Sequence, residues 1–239
     1  MHTNPVLVSE TFTSLQGEGS LVGVPSWFCR LSGCNLRCRW CDTPYASWSP
    51  EGTKRTVDEL VAEATASPAR HAVLTGGEPM IFPQLEALCD GLRQAGMHVT
   101  IETAGTVDRE IAFDLMSLSP KLANSTPTDD PRDPSGAWAA RHEGRRLDFD
   151  ALQALVDRST APRARQFKFV VTSEADLAEI EDLLGKLRGW RPEEVYLMPE
   201  GVSVPEPARV RWVVDACIAR GWRYGPRLHI ELFGDTRGT

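Results

Sequence analysis

No stretch of the sequence approaches the roughly 20 consecutive apolar residues that a membrane-spanning helix needs, which argues against a membrane protein. Residues 1–10 lack a basic segment followed by an apolar one, so no secretory leader is read and a soluble cytoplasmic protein is expected. Positive charge is not in surplus. Lys and Arg number 26 against 33 Asp and Glu, a net charge of −7. That excludes nucleic-acid binding through a broad basic surface but not a small anionic ligand met by local cations. Internal repeats and low-complexity tracts are also missing. What remains is a chain of 239 residues, 41% apolar and 25% charged, long enough to bury a sizeable core. It reads as a single domain, 1–239.

Short apolar runs alternate with amphipathic segments. Strand-like runs are 27–31, 72–74, 98–101, 115–118, 166–171, 195–198 and 227–230. Helix-like segments are 56–66, 83–95, 173–188 and 207–220. The first opens with a capping box, Thr56 and Glu59. The second has Pro83 at its entrance and Gly96 at its end. Such alternation predicts an α/β fold with a mostly parallel sheet, whose ligands sit at the carboxyl ends of the strands. Residues 123–146 break the pattern. They are rich in Pro, Asp, Ser, Gly and Arg, and read as a long polar loop, a lid or a disordered segment, with Trp138 as a docking point.

Cysteine is concentrated. Four of the six lie between Cys29 and Cys41. Cys34, Cys38 and Cys41 have the spacing C-x3-C-x2-C within GCNLRCRWCD. Three thiolates on one loop suit a zinc or iron–sulfur centre. A structural zinc site wants four ligands, and no local His completes the set; Cys29 lies in a strand-like run. Three ligands leave one corner of a four-iron cluster open for a substrate or cofactor. Cys89 and Cys217 sit on apolar helix faces and read as small buried hydrophobes.

Other polar motifs follow strand-like runs. LTGGEP, from Leu74 to Pro79, puts paired glycines at a strand end, where backbone can approach a ligand closely. Ser119, Pro120 and Lys121 offer a hydroxyl and a cation at another. In QFKF, strand alternation sets Gln166 and Lys168 on one face. An inward lysine there needs an acid to meet it. In TSLQGEG, Gln16 and Glu18 flank Gly17 and can hydrogen-bond a heterocycle that carries donors and acceptors.

The three-cysteine spacing with Trp40 before Cys41, together with GGEP, resembles the radical S-adenosylmethionine (SAM) enzymes. TSLQGEG, GVPSWFCRLSGCNLRCRWCDT, TGGEP, ETAGT and SLSPK, in this order, with LMPEG and LHIELFG near the end, look like the 7-carboxy-7-deazaguanine synthases. These belong to the 7-deazapurine (queuosine) pathway. Two departures are Ala104, where Asn is expected, and the length of 123–146.

The resemblance implies a radical SAM core built as an incomplete TIM-type barrel. It implies conversion of 6-carboxy-5,6,7,8-tetrahydropterin to 7-carboxy-7-deazaguanine with release of ammonia, through a 5′-deoxyadenosyl radical. SAM is regenerated, and cluster and SAM supply the difficult chemistry, so no side chain is assigned as catalytic. Cys34, Cys38 and Cys41 would hold a [4Fe-4S] cluster, and Thr43 would ligate Mg2+, which keeps waters and takes substrate oxygens. Leu15, Gln16, Gly17, Glu18, Arg30 and Thr75 would bind the substrate, with Arg30 suited to its carboxylate. Gly77, with Glu78 beside it, would bind SAM, joined by Trp40, Asp42, Ser119, Pro120 and Lys121. Lys168 is added to this cofactor group from strand alternation. A homodimer and an electron donor such as flavodoxin or ferredoxin are the implied partners. Two rivals remain: an activase that makes a glycyl radical on a partner protein, which would need no QGEG, Arg30 or Thr43, and a non-enzymatic zinc or iron–sulfur module.

Overall fold

The computed structural model describes residues 4–239. Strands β1 (Val6–Leu15) and β2 (Pro25–Leu31) come first, and β3 (Thr53–Arg55) follows the cysteine loop. Helices and strands then alternate: α1 (Val57–Ala66), β4 (His71–Gly76), α2 (Gln84–Gln94), β5 (His98–Thr103) and β6 (Leu115–Leu118). Next come α3 (Ala137–Glu143), α4 (Phe149–Arg158), β7 (Ala164–Val171), α5 (Asp176–Gly185) and β8 (Val195–Pro199). The described chain ends with α6 (Pro207–Arg220), β9 (Arg223–Tyr224) and α7 (Leu228–Phe233).

The strands form one sheet in the order β3-β1-β2-β4-β5-β6-β7-β8-β9. Pairing is parallel from β2 to β9, and β1 runs antiparallel to both β2 and β3. Edges β3 and β9 do not pair with each other, so the barrel is incomplete, as the resemblance implies. The α1 start follows its sequence signal. Thr56 Oγ1 accepts from Glu59 N, and the Glu59 side chain accepts from Thr56 N. The helix then buries Val57, Leu60 and Ala64. Strand alternation divides the two faces of the sheet. Trp27, Cys29 and Leu31 of β2 and Phe167, Phe169 and Val171 of β7 join the main apolar core, while Phe28, Arg30 and Lys168 face a cavity.

One expectation is corrected. Residues 227–230 form no strand. The sheet ends at β9, and residues from Leu228 turn into α7, with Leu228 N bonded to Gly17 O. Residues 123–146, expected as a long polar loop, are partly helical. They contain a short turn of helix, Ala123–Ser125, and α3, and none of them lines the cavity. Three strands went unread in the sequence, as did helix α4: β1, which mixes polar residues into its alternation, and the short edge strands β3 and β9.

The floor of the barrel, at the amino ends of the parallel strands, holds a buried polar chain. His71 Nδ1 meets Ser26 Oγ at 2.7 Å and Nε2 meets Thr100 Oγ1 at 2.7 Å. Burial, with His98 edge-on at 5.1 Å, pushes its pKa down to about 4. The folded state thus binds fewer protons than the unfolded one between the two pKa values. Stability from this group is present above the ordinary histidine pKa and lost as pH falls from about 6.5 towards 4. The expected loss is up to about 3 kcal/mol. Urea midpoints of wild type and His71→Asn at pH 7 and pH 4.5 check it; an equal acid loss in both would remove His71 as its source.

Candidate active site

A cavity of about 500 Å³ opens at the carboxyl ends of the parallel strands. It is lined by Leu15, Gln16, Gly17, Glu18, Arg30, Thr75, Gly77, Ser119, Lys121 and Lys168, and by Trp40, Asp42 and Thr43 of the cysteine loop. Cys34, Cys38 and Cys41 line it too, and no fourth cysteine does. Cys29, Cys89 and Cys217 are buried and absent from its wall, as small core residues. Burial pushes the Cys34 thiol up to about 12 and raises Cys38 as well, so both are protonated until a metal centre draws off the protons. Three thiols on one cavity wall, with no fourth beside them, suit an iron–sulfur cluster with one open corner better than a closed zinc tetrahedron.

The cysteine loop is seated on the GGEP turn by backbone. Gly77 N donates to Leu31 O (3.0 Å) and Glu78 N to Gly33 O (2.9 Å), while Gly33 N donates to Ala46 O (2.8 Å). Gly76 has φ +141°, open to glycine alone without strain. A Cβ on Gly77 would collide with the carbonyl oxygens of Gly33 and Ala46. Gly77→Ala is therefore expected to cost about 1–3 kcal/mol and to displace the loop that carries Cys34. Urea unfolding and SAM binding by calorimetry check it; wild-type values in both would show that the turn can give way.

Glu78 and Pro120 do not line the cavity. The Glu78 side chain is fully buried. It accepts from Met80 N (3.0 Å), Thr103 Oγ1 (2.8 Å) and Ala104 N (2.8 Å), tying the end of β4 to the end of β5. Burial raises its pKa. Lys121 Nζ donates to Ser119 Oγ at 2.8 Å and lies 5.6 Å from the centre of the Trp40 ring.

Lys168 is no open cation for a cofactor. Its Nζ bonds Glu18 Oε2 at 2.8 Å and Glu102 Oε1 at 3.0 Å, which places it with the Gln16–Glu18 group. Gln16 Nε2 and Thr75 Oγ1 also reach Glu102, at 3.4 and 3.1 Å. Burial opposes the charges of Glu18 and Lys168. The mutual attraction prevails, aided by Arg227 and His229 at Glu18, so Glu18 is held well below the usual carboxylate range and Lys168 above its own. Arg30 Nε donates to Glu10 Oε1 (2.7 Å), and Tyr45 steadies the same carboxylate at 3.0 Å.

Sequence reasoning missed Glu102, Arg227 and His229, all on the cavity wall. Arg227 bonds Glu18 (3.2 Å) and Asp42 (2.5 Å). Glu102 begins the ETAGT motif at a strand end, a signal that pointed to it. Arg227 and His229 were obscured by reading 227–230 as a strand.

The family model of the Radical SAM superfamily matches residues 30–125. A 7-carboxy-7-deazaguanine synthase from Rhodopirellula baltica is 48% identical over 98% of this chain and 89% of its own length. One from Halobacterium salinarum is 46% identical over 97% of this chain and 92% of its own. The crystal structure of QueE from Escherichia coli matches with a TM-score of 0.70 at 28% identity, covering 94% of this chain and 95% of that one.

Proposed function

Since the chain belongs to the family of the 7-carboxy-7-deazaguanine synthases, within the radical SAM superfamily, we propose that it contracts 6-carboxy-5,6,7,8-tetrahydropterin to 7-carboxy-7-deazaguanine and releases ammonia. The observation that carries this reading is one cavity. It joins the three cysteines and the Gly77 turn to a charged hydrogen-bonding group of Gln16, Glu18, Glu102 and Lys168.

The cluster and SAM, when bound, supply the one-electron chemistry that starts the reaction. The chain's own residues orient the substrate. Glu18, held ionised by Lys168, and the neighbouring Glu102 carboxyl group accept hydrogen bonds from the ring N–H groups. Gln16 supplies an amide able to donate and accept. Arg30 has one nitrogen bonded to Glu10 and presents the rest of its fork to the substrate carboxylate. Leu15, Gly17 and Thr75 complete the ring site, and Ser119, Lys121, Trp40 and Asp42 the SAM side.

Thr43 would ligate Mg2+ with water and substrate oxygens. A homodimer, reduced by a flavodoxin- or ferredoxin-like donor in the cytoplasm, completes the reading. No helix among the described residues is long and apolar enough to cross a membrane.

The test is an anaerobic assay of reconstituted protein with SAM, reductant, Mg2+ and the carboxytetrahydropterin, read by mass spectrometry. Formation of 7-carboxy-7-deazaguanine is expected. Cleavage of SAM without that product would send the search to another substrate. In the same assay Thr43→Ala should blunt the response to Mg2+ while cluster absorbance stays unchanged; an undiminished response would remove Thr43 from the metal site.

A further inference from the structure

Arg37 lies between Cys34 and Cys38, and nothing above uses it. It is 8% exposed. Its Nη1 donates to the carbonyls of Cys34 (2.8 Å) and Leu36 (2.7 Å), so the side chain folds back on its own loop. The guanidinium carbon stands 4.1 Å from the centre of the Trp138 ring. Nε is a buried donor with no acceptor among the described residues.

A buried guanidinium with an unmet N–H and no carboxylate partner among the described residues is costly beside neutral thiols, and less so beside thiolates. The cluster reading supplies that negative charge. A 2+ core held by three thiolates carries one net negative charge, and a second after it takes up an electron. A fixed cation beside it favours the more negative form.

The surrounding structure fixes Arg37 in place. Its backbone N donates to His142 Nδ1 at 3.1 Å, which leaves Nε2 as the donor to Ser125 Oγ at 2.8 Å. Ser125 Oγ in turn donates to Leu122 O at 2.6 Å. Arg39 N donates to Ser125 O at 2.8 Å. Residues 123–146 thus clamp the cysteine loop from behind, and Trp138 docks onto its arginine.

We propose that Arg37 is a positioning residue for the cluster: its Nε donates to a sulfur of the three-cysteine centre, and its charge makes that centre easier to reduce. The inference rests on the cluster reading above. The electron itself comes from an external one-electron donor.

A redox titration of the reconstituted protein with dithionite, followed by the EPR signal of the reduced cluster, needs no turnover. In Arg37→Gln the ratio of reduced to oxidised cluster at a fixed potential should fall about tenfold, a shift of about 59 mV to more negative potential for one electron. Arg37→Lys keeps the charge but not the fork and should shift less. Arg141→Gln removes an exposed guanidinium from the same Trp138, 5.3 Å away, and should keep the wild-type midpoint. A wild-type midpoint in Arg37→Gln, or an equal shift in Arg141→Gln, overturns the proposal. If Arg37→Gln takes up no cluster, Arg37→Lys and Trp138→Ala decide on the same titration, and wild-type midpoints in both overturn it. Wild-type protein that takes up no iron and sulfide sinks the cluster reading itself, a separate failure.

Discussion

Alanine in place of Cys38 is expected to leave the reconstituted protein without its iron–sulfur absorbance and to abolish SAM cleavage. The argument is one of substitutes. Cys38 is one of three thiols lining the cavity, and the structure brings no fourth cysteine to that wall. Cys29 is nearest in sequence, yet it sits on the opposite face of β2 from Phe28 and Arg30, fully buried in the main core. It is therefore not presented to the cavity. Two thiolates cannot hold a four-iron core that wants at least three protein ligands. Cys29→Ala is the companion variant. It should keep the cluster and lose only packing energy, about 1 kcal/mol for a small buried group. Iron and sulfide analysis with the visible spectrum reads both. A cluster retained in Cys38→Ala would refute the ligand set, and one lost in Cys29→Ala would place the fourth cysteine in it.

The parts legible in the sequence share a physical reason. Buried parallel strands read as apolar runs, and β4, β6, β7 and β8 stand where those runs do. The α1 cap is a local interaction, and local spacing announces it. The three cysteines and the Gly77 turn carry their chemistry in fixed short spacings, and the fold then brings both motifs to one wall. What was hidden depends on distant partners. β1 is half polar: its Phe12 and Leu15 line the cavity and its Glu10 accepts from Arg30, so the alternation presents no plain apolar face. Arg227 forms a helix entrance because Glu18 and Asp42, some 200 residues away, hold it, and no local pattern records that. Residues 123–146 look like solvated loop by composition. Their order comes from His142, Ser125 and Trp138 meeting the cysteine loop. Sequence alternation did show that Lys168 faces inward and needs an acid. That two protein carboxylates meet it, and not a cofactor, required the fold.

Methionine in place of Lys168 should then cost about 3 kcal/mol at pH 8, the lower end for breaking a buried ion pair. The low end applies because the side chains of Glu18 and Glu102 keep 17% and 21% exposure, whereas that of Lys168 keeps 4%. Without the ammonium, the two carboxylates face each other across the position it held. One can relieve that by taking a proton, so its pKa rises in the variant. The sign follows from linkage. In the wild type Glu18 is depressed, so its contribution is present above the ordinary carboxylate pKa and lost as pH falls. In the variant that contribution is absent at high pH, and protonation of one carboxylate restores part of the balance as pH falls. The stability gap between the two proteins should thus narrow from pH 8 to pH 5. Glu102→Gln in the Lys168→Met background removes the repulsion directly and should recover most of the loss at pH 8. On the proposed reading substrate affinity should not recover with it, because the proposed ring site then lacks both the Glu102 carboxyl group and the cation bonded to it. Urea midpoints at the two pH values and the KM of each variant check this. A gap that is the same at both pH values would mean that Lys168 acts through packing and not through the charges of Glu18 and Glu102.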